Sequence, residues 1–137
     1  MSKALGVDVG TVRTGLAIEV LGVAQPLKVL TAFDEDLAGA IAAVAAEEGA
    51  TEIVIGHPLR LDGTEGEAAN RTREIAEALR PAAGVPVVLW DERMTTVQAE
   101  RALVGAGVKR RKRRGVVDGV AATVMLQSYL DAGRDKR

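Results

Sequence analysis

Three acidic places in this chain raise the question of catalysis. At about 100° per residue, Asp118 shares a helical face with Ala121, Ala122, Met125 and Tyr129, while Thr123 and Gln127 fall on the other side. A carboxylate amid an apolar face is costly unless something compensates its charge. A cation or metal ion would do so; the plainer explanation is a first-turn Asp favoured by the helix dipole. Asp8 poses the same question in a strand, where acids are depleted. Leu5, Val7 and Val9 make one face there, and Ala4, Gly6 and Asp8 the other. The small residues leave room for a ligand or another backbone, although an Asp at a strand end can simply serve a turn. The third place is Asp91-Glu92, where alternation sets Asp91 with Val87 and Leu89, and Glu92 with Val88 and Trp90. One of the two points toward any site and the other away, and a salt bridge to Arg93 or Arg101 is the alternative use. Spacing alone does not choose between them.

Acids on separate elements, with no Cys and a single His, point to Mg²⁺ or Mn²⁺, which take oxygen ligands. Two such ions about 4 Å apart activate water and stabilise the leaving oxygen in phosphodiester cleavage. A site of that kind needs cations elsewhere to hold phosphates. Residues 1–108 carry 9 basic and 16 acidic side chains, net −7, whereas residues 109–137 carry 9 and 3, net +6. Six of those bases are consecutive: Lys109, Arg110, Arg111, Lys112, Arg113 and Arg114. The block suits a polyanion, and its plain alternative is a solvated charged loop. Arg13, in the first turn region, either touches phosphate or pairs with Glu19. Thr64 and the amides near Gly66, at a helix start, are further phosphate candidates.

The 137 residues are enough for one domain, 1–137, with a sizeable core. Hydrophobic residues are 47% and charged residues 27%, which excludes disordered and collagen-like classes. Phe33, Trp90 and Tyr129 are the only aromatics, too few for a platform that stacks single-stranded bases. The absence of Cys removes disulfides, thiolate nucleophiles and Cys-bound zinc. No apolar run approaches a membrane span and no secretory leader pattern follows Met1, so the expected location is the cytoplasm.

The elements that must position these residues follow from patterning. Strands are expected at Leu5–Val9, Leu16–Val20 and Leu27–Ala32. A helix follows over Glu35–Glu48, with Asp34 as N-cap and Gly49 as stop. A buried strand spans Glu52–Ile55 and ends at Gly56-His57-Pro58. A helix spans Glu65–Arg80 and is closed by Pro81. A strand at Val87–Trp90 runs into Asp91, and Thr95 opens a helix with Gln98 as capping partner, ended by Gly105 and Gly107. The basic block is expected in the next loop, and a last helix over about Val116–Leu130. The order βββ-α-β-α-β-α-α is an α/β mixed sheet with flanking helices.

Four ordered stretches resemble the YqgF/RuvX family: Gly6-Val7-Asp8-Val9-Gly10-Thr11 with Arg13 and Gly15; Ile55-Gly56-His57-Pro58-Leu59 with Asp62-Gly63-Thr64-Glu65-Gly66; Asp91-Glu92-Arg93-Met94-Thr95-Thr96; and Asp118 with Ala121-Ala122 and Leu126-Gln127. The resemblance covers nearly the whole chain. It implies an RNase H-like fold related to RuvC-type junction resolvases, and a nuclease that matures the 5′ end of precursor 16S rRNA. It also implies that Asp8, Glu92 and Asp118 are the catalytic, metal-binding acids. His57 departs from the family, which usually has Leu there. RuvC-type enzymes carry a catalytic acid near the end of that strand, so His57 is placed at the border of the site, against the ordinary structural role of a lone His.

The expected protein is therefore a metal-dependent endonuclease, with residues 109–114 and Arg13 holding the nucleic-acid backbone. Precursor rRNA and four-way DNA junctions are the competing substrates. Symmetric junction cleavage requires a homodimer, whereas an rRNA nuclease can be a monomer. The rival class is a non-catalytic nucleic-acid or ribosome-assembly binder on the same fold.

Overall fold

In a computed structural model, the structure describes residues 2–32, 34–94 and 110–133; for residues 34, 94 and 110–118 the description is of the backbone. Five strands, β1 (Ala4–Val9), β2 (Thr14–Val20), β3 (Val23–Leu30), β4 (Glu52–His57) and β5 (Val87–Asp91), form one sheet in the order β3-β2-β1-β4-β5. The first three are an antiparallel meander, while β4 lies parallel to both β1 and β5. Helices α1 (Asp34–Glu48) and α2 (Glu67–Ala83) make the parallel crossovers, a short 3₁₀ turn at Glu92–Met94 follows β5, and α3 (Arg110–Asp131) is the last helix.

Alternation along the strands sorts the core into two layers. Leu5, Val7, Leu16, Ile18, Ile53, Ile55 and Val87 pack on Leu37, Ile41 and Val44 of α1 and Ile75, Ala76 and Leu79 of α2. The opposite face is built from smaller residues, Ala4, Ala17, Ala24 and Val54, which meet Ala122, Met125, Leu126 and Tyr129 of α3. Gly6 lies in the middle of this second face, and a Cβ there would come within 2.9 Å of Leu126 Cβ. The small residues ahead of Asp8 thus let a helix lie close to the sheet. Tyr129 at one end of α3 bonds to Glu52, and Ala122 lies over Gly6. Since Glu52 is level with Ala4, α3 runs antiparallel to β1.

Three boundaries differ most from the sequence expectation, each for a local reason. Strand β3 begins at Val23, four residues early, because Leu21 (φ 50°) and Gly22 (φ 85°) form a tight hairpin turn. Pro26 masks it in the sequence, yet β3 is an edge strand with a register shift opposite Leu16/Ala17, where Pro is tolerated. Helix α2 does not stop at Pro81 but carries it in its last turn and ends at left-handed Gly84. The basic block is not a loop throughout: Arg110–Arg114 belong to α3, which starts six residues before Val116. Arg and Lys are good helix formers, and Gly115 alone costs about 1 kcal/mol, too little to break the run. Lys109 and the helix expected from Thr95 lie outside the described residues.

Candidate functional site

Asp8 is the next-to-last residue of β1 and lies on the α3 face, two residues beyond Gly6. Asp91 closes β5, and Glu92 opens the 3₁₀ turn. The turn separates the two neighbours. Asp91 is clasped by Arg93, whose Nη2 lies 2.6 Å from Asp91 Oδ2 and whose Nε lies 2.9 Å from the same oxygen. The Arg93 amide also donates to Asp91 Oδ1 at 2.9 Å. Arg93 thus holds the Asp91 carboxyl below the usual carboxylate range, with backbone donation adding to the effect.

Glu92 turns the other way. Its side chain folds back across β4 at Gly56 and shares a hydrogen bond with Asp8. Burial pushes the Glu92 carboxyl up to about 8, and the hydrogen bond to Asp8 and the negative charges of Asp8 and Asp91 push in the same direction. Two carboxyls in contact hold a proton between them at neutral pH because their charges repel. A cation placed there would reverse each of these effects. The carboxylate that the sequence sets on this face of β1 thus meets a second acid, from the turn after β5.

Asp118 sits on α3, one turn before Ala122; its side chain lies outside the described part. Going from Ala122 to Asp118 covers about 6 Å of helix, and going from Gly6 to Asp8 covers about 7 Å of strand. The antiparallel course of α3 and β1 carries both acids toward the same end of the sheet. Among the described residues, no group of three or more metal-ligating side chains converges; the described unit is the pair Asp8–Glu92.

His57 does not join that pair. It has the parity of Ile53 and Ile55, on the α1/α2 face, and its Nε2 lies 2.9 Å from Glu65 Oε2. Arg73 bonds the same carboxylate and holds Glu65 below its usual range, with His57 contributing less. Thr64 closes a turn by donating its amide and hydroxyl to Asp62 Oδ1, at 2.9 and 2.6 Å. Gly66 caps α2 without a side-chain hydrogen bond. Arg13 is exposed in the loop between β1 and β2, while Glu19 is buried and accepts the Ala4 amide at 2.9 Å.

Two features of the site escape sequence reasoning. Arg71 of α2 donates to the Gly10 carbonyl at 2.7 Å and ties down the turn that follows Asp8; nothing in its spacing sets it apart from the other arginines of α2. Trp90, level with Gly56, packs edge-on against Tyr129 with ring centroids 5.4 Å apart, and its Nε1 is buried with no hydrogen-bond partner among the described residues. Only the tertiary arrangement brings that indole against Tyr129.

A 3-2-1-4-5 sheet with an acid near the end of its central strand, a second at the end of the last strand and a helix across one face defines an RNase H-like fold. Thermus thermophilus RuvC in complex with Holliday junction substrate superposes with a TM-score of 0.55 at 19% identity, over 97% of both chains. The chain belongs to the RuvX family, described as "Holliday junction resolvase", whose model matches residues 2–132. Similar curated proteins are those of Syntrophus aciditrophicus, 47% identical over 95% of this chain and 89% of that one, and Kineococcus radiotolerans, 51% identical over 95% and 72%. Both carry the name "Putative pre-16S rRNA nuclease". No helix among the described residues is long and apolar enough to cross a membrane.

Proposed function

We propose that this chain is a metal-dependent endonuclease that acts in 5′-end maturation of pre-16S rRNA in the cytoplasm, with Asp8, Glu92 and Asp118 holding Mg²⁺ or Mn²⁺. The observation that carries the reading is the contact between Asp8 and Glu92, with the Glu92 carboxyl pushed up to about 8. An all-oxygen donor pair with unfavourable mutual charge fits a hard divalent cation. When bound, the ion supplies Lewis-acid stabilisation of the phosphoryl oxygens and lowers the pKa of water. Asp8 and Glu92 approach from β1 and the end of β5, and Asp118 would approach from α3.

The phosphate backbone would lie along Lys109–Arg114 and Arg13. Arg110–Arg114 open α3, so their mutual repulsion adds to the positive end of the helix dipole. A polyanion relieves both, and binding should weaken steeply with salt. The name carried by the relatives supports RNA as the substrate.

A second reading is four-way DNA, favoured by the family description and by the fold shared with a RuvC–junction complex. The deciding experiment presents labelled pre-16S 5′ leader and a synthetic four-way junction to the protein with Mg²⁺ or Mn²⁺, alongside Asp8→Asn and Glu92→Gln. Native mass separates a monomer from the homodimer that symmetric junction cleavage requires. Cleavage of the leader that both variants lose supports the proposal. Cleavage confined to the junction moves the substrate to DNA. Salt-sensitive binding without cleavage, unchanged by Asp8→Asn, makes the chain a binding module.

A further inference from the structure

Asp8 lies on β1 and Glu92 directly follows β5, two strands that are not neighbours because β4 lies between them. Glu92 reaches Asp8 only by crossing β4, and it crosses at Gly56. A Cβ on Gly56 would fall 2.9 Å from both Cγ and Cδ of Glu92, and closer still to Oε1. We propose that Gly56 is a positioning residue for the acid pair: its missing side chain is the passage that brings Glu92 to Asp8. This rests on the reading of the pair as metal-holding.

The backbone makes no separate demand for glycine there. Gly56 is not among the glycines with positive φ, so an alanine fits the strand without strain. The three nearest atoms it would meet among the described residues all belong to the Glu92 side chain. Gly6, on the neighbouring strand and the same face, makes the contrast. Its Cβ would meet Leu126 Cβ at 2.9 Å and Ala122 O at 3.4 Å, so that glycine serves the packing of α3. Two glycines of one layer thus do different work: Gly6 admits a helix, Gly56 admits a carboxylate.

The test is a double-mutant cycle in the full chain, with Gly56→Ala, Glu92→Ala and the double variant. Mn²⁺ is titrated into the metal-free proteins, free Mn²⁺ is counted by electron paramagnetic resonance, and thermal unfolding is recorded without metal. Gly56→Ala should weaken Mn²⁺ binding about tenfold or more, the range found for residues that orient ligands, while the metal-free protein stays folded. In the Glu92→Ala background the same substitution should change nothing further. Unchanged affinity in Gly56→Ala, with affinity lost in Glu92→Ala, overturns the positioning role and leaves the metal site standing. An undiminished further loss in the double variant also overturns it, since Gly56 would then act elsewhere. Unfolding of Gly56→Ala overturns it too, because the backbone would be what needs the glycine. If Glu92→Ala itself binds Mn²⁺ as the parent does, the metal reading of the pair falls, and this inference with it.

Discussion

The α3 face of the sheet holds two pairs of acids, one at each end of β1, and they are built in opposite ways. At the Ala4 end, Glu19 and Glu52 flank β1 and are buried, 7% and 6% exposed. Each has a fixed donor: the Ala4 amide reaches Glu19 at 2.9 Å, and the Tyr129 hydroxyl reaches Glu52 at 2.5 Å. At the other end, Asp8 and Glu92 face each other, and the Glu92 carboxyl is pushed up to about 8. Glu19 and Glu52 are buried whereas Asp8 and Glu92 are half-buried, but the sharper difference lies in what the carboxyls meet. A buried acid that meets an N–H or O–H strengthens the fold, whereas one that meets another acid stores repulsion a cation can relieve. The first arrangement locks α3 to the sheet, and the second suits ion binding.

Exchanging charge for amide at each end should separate the two roles. Asp8→Asn is expected to reduce cleavage by about 10³-fold or more, the scale of losing a central electrostatic element of an active site, and to abolish high-affinity Mn²⁺ binding. The metal-free fold should be retained or strengthened, because a like-charge contact is removed. Glu52→Gln should do the reverse, keeping Mn²⁺ affinity and lowering the unfolding midpoint. Single-turnover cleavage and calorimetric Mn²⁺ titration read the first effect, and urea unfolding reads the second. A Glu52→Gln protein that loses metal affinity while staying folded would break the comparison.

The next effect is on pH. Glu92 holds its proton to about pH 8 in the folded chain, against an ordinary value of 4.5. Between those values the folded state binds more protons than the unfolded one, so the stability of the metal-free protein falls as pH rises from about 5 to 8. Glu92→Gln should flatten this slope. Urea midpoints at half-unit steps of pH check it, and a parent slope of the opposite sign would remove the case for a shared proton.

At the other end, Tyr129→Phe should cost about 1–3 kcal/mol, the penalty for leaving a buried acceptor without its donor. Cleavage should persist, because the change lies at the far end of β1 from Asp8. The single Trp90, edge-on to Tyr129, reports this unfolding by fluorescence.

What the sequence discloses and what it hides divide along the same line. The period of two in Ala4–Val9 shows that Asp8 shares a face with Ala4 and Gly6, and the helical period shows that Ala122, Met125 and Tyr129 form the buried stripe of α3. These are local facts, fixed by the geometry of single elements. Alternation likewise shows that Asp91 and Glu92 diverge, and Arg93 does take Asp91. Which of the two meets Asp8 depends on sheet order, with β4 interposed and a glycine at the crossing, and no period in the chain carries that. The hairpin at Leu21-Gly22 and the early start of α3 were hidden for smaller reasons, a Pro on an edge strand and a charged run that is also helix-forming.

The smallest expected effect sharpens the contrast between two adjacent residues. Asp91 is partly exposed and tied to Arg93, so Asp91→Asn should cost about 1 kcal/mol or less, as exposed ion pairs do. Its sign with pH is opposite to that of Glu92. The folded Asp91 carboxyl lies below the ordinary value of 3.8, so its contribution is fully present above that value and is lost as pH falls through the lower folded one. Asp91→Asn should therefore make the metal-free protein less sensitive to acid below about pH 4, while the pH 5–8 slope assigned to Glu92 persists. The slope should become somewhat shallower, because the negative charge of Asp91 is one of the groups that push Glu92 up. Urea midpoints from pH 3 to 8 for the parent and for Asp91→Asn read both limbs in one series. Loss of the upper limb in Asp91→Asn would mean that Asp91 rather than Glu92 carries the raised carboxyl, and the two neighbours would exchange roles.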